Sequence, residues 1–123
     1  MPIIARMSPA IPELSVAAFL LAAALERYQA HWDQLIESWF DRQRCDMVNQ
    51  ELDEIRKLRS ALPQLGADMM EVMMRHAQLL RSLMKAAATD GGAGAQVEAL
   101  RRKHRGAIEA MRRKCLGLFA RDD

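Results

Sequence analysis

Three histidines, two cysteines and nine methionines are the side chains in this 123-residue chain best suited to bind a soft metal, move a proton near neutral pH or act as a nucleophile. A zinc site needs three or four His, Cys or carboxylate ligands at characteristic short spacings. His31, His76 and His104 stand far apart, and none has a cysteine or carboxylate at such a spacing. His31 and Asp33 are two residues apart and cannot share a helix face. His76 and His104 both fall on apolar faces, where a histidine needs a polar partner, and the two could meet inside a bundle. Cys45 and Cys115 make no disulfide framework, point to a reducing compartment and read most simply as small apolar residues. No Glu-x-x-His pair of the ferritin-like type occurs, and no glycine-rich phosphate loop follows a strand. The expectation is a protein that is not an enzyme, with no metal and no cofactor.

Methionine raises a different chemistry. The stretch "DMMEVMM" (68–74) places four thioethers in seven residues. A Cu(I) site would need paired Met-x-Met spacing or helper His and Cys nearby, and neither is present. An unbranched thioether side chain packs against many shapes, so it suits either a gap in a core or a surface that adapts to a partner. Which of the two applies depends on the elements that carry these residues.

Half of the chain is apolar, aromatics are few, and alanine, leucine and methionine outnumber the β-branched residues. That balance favours helix over sheet. Residues 1–12 hold three of the four prolines and read as an irregular arm. A helical pattern starts near Glu13 or Ser15 and runs to about Gln29. A second pattern, Trp32, Leu35, Ile36, Trp39, Val48, Leu52, Ile55, Leu58 and Leu62, follows it. The two either run on as one helix over 13–62 or break near Ala30. "ALPQLGAD" (61–68) is a connection, with Asp68 as the expected cap of a third helix over 68–88. "TDGGAG" opens a glycine-rich hinge at 89–95. The last helix spans 96–119, with Val97, Leu100, His104, Ile108, Met111, Cys115 and Leu118 as a narrow seam. The expected fold is a single all-α domain: a bundle of three to four antiparallel helices with a loosely attached C-terminal helix. The run "VAAFLLAAAL" (16–25) is about half the length a membrane span needs. Pro9, Pro12 and Glu13 ahead of it, and the helical pattern running on past it, argue against a signal peptide.

On a helical wheel the apolar side of the third helix covers more than half the circumference, from Leu79 and Val72 through His76 and Met69 to Met70 and Met74. An ordinary surface helix needs a stripe of only about 100°. The third helix therefore touches two neighbours, or touches one and leaves an apolar groove. The candidate groove residues are Met70, Met73, Met74, Leu80 and Met84. Ile108, Met111 and Cys115 of the last helix are the candidate covering seam. Gly106 and Gly117 weaken that last helix, and the hinge lets it leave without unfolding its neighbours, so it is a candidate lid. Residues 96–123 carry eight basic against four acidic side chains. Such a face suits phosphates or an acidic protein, or it is a solvated surface whose long stems shield the seam. No helix-turn-helix pattern and no interleaved aromatics support a nucleic-acid binder.

"AHWDQLI" (30–36) and "AQLLRSLM" (77–84) resemble two stretches of the FliT-type flagellar export chaperones, as does the order of helices over most of 13–119. The resemblance implies a small all-helical, cytoplasmic, non-enzymatic chaperone of type III export. Such a chaperone binds a C-terminal helical part of the filament-cap protein, prevents premature assembly and brings its client to the export apparatus. Some members also bind a flagellar transcriptional regulator, and in the family the last helix covers part of the partner site. Better-known members carry tyrosine in that helix; here Phe119 is its only aromatic. The alternatives are a helical adaptor or homo-oligomer with no export role, and a basic-helix nucleic-acid binder.

Overall fold

The computed structural model describes residues 10–38, 40–89 and 94–121. Four helices make up nearly all of them: α1 (Ala10–Glu37), α2 (Arg42–Arg59), α3 (Gly66–Ala88) and α4 (Gly94–Arg121), with a 3₁₀ turn at Pro63–Leu65 ahead of α3. The chain is all-α, and no strand occurs among the described residues. The expected arm begins helix already at Ala10, and its first nine residues lie outside the described part, as does the hinge at 90–93.

α1 does not break near Ala30, nor does it run into α2. It continues unbroken to Glu37, and the chain reverses over 38–41. The reversal uses no glycine or proline. Phe40 takes a positive φ of 67° and its amide donates to the Leu35 carbonyl at 3.2 Å. A non-glycine residue in that region is strained by about 1–2 kcal/mol. The Phe40 side chain packs on the core, which offsets the strain. Asp41 then caps α2, its carboxylate accepting from the Gln43 amide at 3.3 Å.

Asp68 is not the cap of α3. The helix starts two residues earlier at Gly66, because the turn begun by Pro63 runs straight into it. Asp68 sits in the first turn, where a carboxylate favours the helix dipole, and it binds Lys114 of α4 at 3.0 Å.

The helices run up and down in sequence. Glu51 lies beside Arg27 and His31, Arg112 beside Glu26, Arg101 beside Asp33, and Lys114 beside Asp68, so each adjacent pair is antiparallel. α1 packs along both α2 and α4, and α4 packs along both α1 and α3. The fourth side of the bundle, α2 against α3, is closed only sparsely. The core draws on every helix: Leu21, Leu25 and Leu35 from α1, Val48 and Ile55 from α2, Val72, Leu79 and Leu83 from α3. From α4 it takes Val97, Ile108, Met111 and Cys115. α4 is thus one full wall of the bundle. It is further tied to α1 by Arg101 and Arg105, which both reach the Asp33 carboxylate, at 2.9 and 2.8 Å.

Gly106 lies exposed in the middle of α4, and a Cβ built there meets nothing within 4 Å. Gly106→Ala is therefore expected to raise stability by about 0.5–1 kcal/mol, read as a higher urea midpoint with an unchanged m-value.

Candidate functional site

The two apolar-face histidines meet at the centre of the bundle. Tyr28 and Trp32 lie one turn apart on α1, and both point inward. The Tyr28 hydroxyl sits 2.7 Å from His76 Nδ1 on α3 and 2.9 Å from His104 Nε2 on α4. Trp32 Nε1 approaches the same His76 Nδ1 at 3.4 Å, and His76 Nε2 lies 3.0 Å from Asn49 Oδ1 on α2. One proton arrangement satisfies all of these. His104 Nε2–H donates to the Tyr28 oxygen, the Tyr28 hydroxyl donates to His76 Nδ1, and His76 Nε2–H donates to Asn49. A single neutral chain of hydrogen bonds therefore joins all four helices. Burial holds the imidazole pKa of His76 down at about 4. Burial, aided by the nearby His76 and Arg105 charges and opposed by Asp33, holds His104 at about 3. Burial likewise pushes the Tyr28 phenol up.

These groups are sealed. Tyr28 is 0% exposed, His104 1% and His76 6%, so no substrate reaches them. The cluster works as a polar latch that fixes which helix faces meet. The cysteines are equally enclosed. Burial raises the Cys115 thiol to about 11 and also raises Cys45, which keeps both protonated and unreactive at neutral pH. No cluster of three or more His, Cys, Asp or Glu able to hold a metal occurs among the described residues.

Exposed large apolar side chains occur on every helix, among them Val16 and Leu20 on α1, Met47 on α2 and Leu116 on α4, and α3 carries three methionines of this kind. Met69, Val72, His76, Leu79, Leu83 and Ala86 form its buried face. The methionines on the other part of the wide apolar stripe stay in solvent: Met70 is 68% exposed, Met74 44% and Met84 49%. With exposed Ala77 and Arg81 they form one row, 70–74–77–81–84, in steps of four and three that keep it along a single helix edge. The row is roughly 21 Å long at 1.5 Å per residue. Met73 and Leu80 are its half-buried shoulder against the core. The five candidate groove residues therefore share one side of α3, three as an open row and two as its inner bank.

The covering seam does not lie over that row. Ile108, Met111 and Cys115 are buried in the core. With α4 packed in place, Met70, Met74 and Met84 are still exposed. The reason is rotational. α4 packs on the opposite edge of α3's buried face, where Asp68 meets Lys114, and the start of the methionine edge, at Met70 and Met73, faces the end of α2.

At that side a cleft of about 810 Å³ opens between the end of α2 and the start of α3. Met69, Met70 and Met73 form one wall, and Asp53, Arg56, Lys57, Arg59 and Ser60 form the other. The basic residues of α2 are not among the sequence-predicted site residues, whose basic candidates lie in the last helix. Their signal is present in the sequence as the run Arg56, Lys57 and Arg59 just ahead of Pro63. Their first role is local, since cations in the last turn of a helix offset its dipole.

No helix among the described residues is long and apolar enough to cross a membrane. No protein-family model, no curated protein and no solved structure matches the chain.

Proposed function

We propose that this protein works by binding rather than catalysis, as a cytoplasmic chaperone of flagellar type III export that holds a helical segment of the filament-cap protein along the methionine row of α3. The observation that carries this reading is the exposure of Met70, Met74 and Met84 in one line along α3, with Met70 at the sparsely closed α2 side of the bundle. A row of this kind is what an amphipathic helix meets through residues at i, i+3, i+4 and i+7. Isolated exposed apolar residues are ordinary, but three exposed methionines and an alanine along one edge of four turns, interrupted only by Arg81, suit a docking helix. Thioether side chains add the ability to refit around a client whose packing is not perfectly regular. The resemblance of "AHWDQLI" and "AQLLRSLM" to the FliT-type chaperones supplies the identity of the client and the link to the export apparatus and a transcriptional regulator. In this reading α4 stays in place on binding, because the row is open while α4 is packed.

The test is calorimetric titration of the purified protein with the C-terminal helical part of the filament-cap protein from the same source. The double variant Met70→Gln, Met74→Gln removes exposed apolar surface only, so its folding stability should stay within about 0.5 kcal/mol of the parent. Its affinity for the cap-protein fragment should fall by at least about tenfold, the loss of two apolar contacts. A parent protein that does not bind the fragment, or a double variant that binds as tightly as the parent, removes the proposal.

A further inference from the structure

We infer that the cleft between α2 and α3 selects an acidic amphipathic helix, one whose apolar stripe is flanked by carboxylates, with one carboxylate seated on Arg59. This rests on the binding reading above and adds the chemistry of the partner.

The two walls of the cleft differ in kind. Met69, Met70 and Met73 offer thioethers and no charge. The facing wall holds Arg56, Lys57 and Arg59 against Asp53 as its one carboxylate. Asp53 contacts Arg56 at 3.5 Å and Lys57 at 4.0 Å, so its charge is already shared between two cations on exposed side chains. Arg59 is placed differently. It is half-buried, and its Nη1 lies 3.9 Å from where a Cβ on Gly66 would stand, so the guanidinium rests over the first residue of α3. Its Nε is buried and has no hydrogen-bond partner among the described residues. That Nε is closed off from a partner, but Arg59 lines the cleft, and the Nη end of its guanidinium is the part that can donate to an incoming carboxylate.

A carboxylate on one flank of an incoming helix would meet Arg59, while the apolar stripe of that helix lies on Met70 and Met73. Further along the row Arg81 is exposed between Ala77 and Met84. It is the one charged position among the methionines and repeats the demand for a carboxylate about three turns away from Met70. A basic partner helix would face the same surface with like charges, which discriminates against it. The cleft volume of about 810 Å³ lies within the roughly 300–1,000 Å³ of ordinary ligand clefts, enough for several side chains of a docked helix rather than a lone ion.

The test uses two synthetic 21-residue amphipathic peptides with the same leucine stripe, one flanked by glutamate and one by lysine. Fluorescence anisotropy with each reads affinity at low and high salt. The glutamate peptide is expected to bind about tenfold tighter or more than the lysine peptide, with the gap shrinking at high salt. Arg59→Gln should remove most of that gap. Lys57→Gln, on an exposed side chain whose loss leaves the core untouched, should narrow it by a smaller factor. Equal binding of both peptides, insensitive to salt and to both substitutions, overturns the acidic preference and leaves the apolar row as a docking surface. Binding of neither peptide removes the docking reading itself. A concentration-dependent dimer of the protein alone, lost in Met70→Gln on sedimentation, assigns the cleft to a second copy of the chain and overturns the inference.

Discussion

Taking the protein from pH 7 to pH 5 is expected to cost about 4 kcal/mol of folding stability, about 2 kcal/mol for each buried histidine. His76 and His104 are neutral in the fold, with pKa values held near 4 and 3 by burial, while a histidine in the unfolded chain titrates near 6.5. The unfolded state therefore takes up protons first as the pH falls. The contribution of the neutral pair is complete above about pH 6.5 and is lost progressively below it, down to the folded values. Each histidine contributes a slope of about 1.4 kcal/mol per pH unit inside that window. The partners give protonation no relief. His76 Nδ1 receives the Tyr28 hydroxyl and the Trp32 indole N–H, so a proton there would face two donors. His104 meets the Arg105 charge and a second imidazole, and the Asp33 carboxylate that could offset them is already held by Arg101 and Arg105. Small domains have only about 5–15 kcal/mol to lose, so a loss of about 4 kcal/mol removes a large share of that stability. Urea denaturation at pH 7, 6 and 5 checks this. His104→Gln should halve the slope between pH 6 and 5, whatever it does to stability at pH 7. Stability that does not change between pH 7 and 5 would contradict the buried neutral pair.

Much of this core was legible because helical periodicity marks a buried face wherever one side is apolar and the other charged. The seam Val97, Leu100, His104, Ile108, Met111, Cys115 and Leu118 is buried or half-buried as its spacing implies, and Trp32, Leu35, Val48, Ile55 and Leu62 are core residues. The α1–α2 reversal was not legible. The chain turns at 38–41 with neither glycine nor proline, on the left-handed backbone of Phe40, and no local propensity signals that geometry. The excess apolar width of α3 was visible on a wheel. Which edge stays open was not, because a wheel fixes angles about one axis and says nothing of where neighbouring axes lie. That choice is made by contacts between residues far apart in sequence, Asp68 with Lys114 and Tyr28 with His76 and His104 among them. The basic wall of the cleft escaped for a related reason. Arg56, Lys57 and Arg59 read locally as the dipole-compensating end of a helix, and only the sparse α2–α3 contact turns them toward methionines.

Tyr28→Phe should destabilise the fold by about 2–4 kcal/mol, although it removes a single oxygen and leaves the ring packing intact. That oxygen is the hydrogen-bonded link between His76 and His104, and it bonds to both at short distance. Its loss leaves the His104 Nε2–H without an acceptor in a fully buried site. It also leaves His76 Nδ1 with only the long Trp32 N–H contact at 3.4 Å. Each buried polar group left unpaired costs about 1–3 kcal/mol, and the Trp32 contact trims the second of the two. Asn49 sits at the exposed end of the same chain, where water can replace it, so Asn49→Ala should cost less, about 0.5–1.5 kcal/mol. The decisive comparison is the pair Tyr28→Phe with His104→Leu. If the latch stabilises by satisfying polar groups that burial would otherwise orphan, removing donor and acceptor together is cheaper than the sum of the two single changes. Thermal or urea unfolding of the four proteins reads this as a coupling free energy of about 1–3 kcal/mol. Strict additivity would mean that the hydroxyl and the imidazole stabilise the bundle independently, through packing alone, and that the hydrogen-bond chain does not hold α4 to the core.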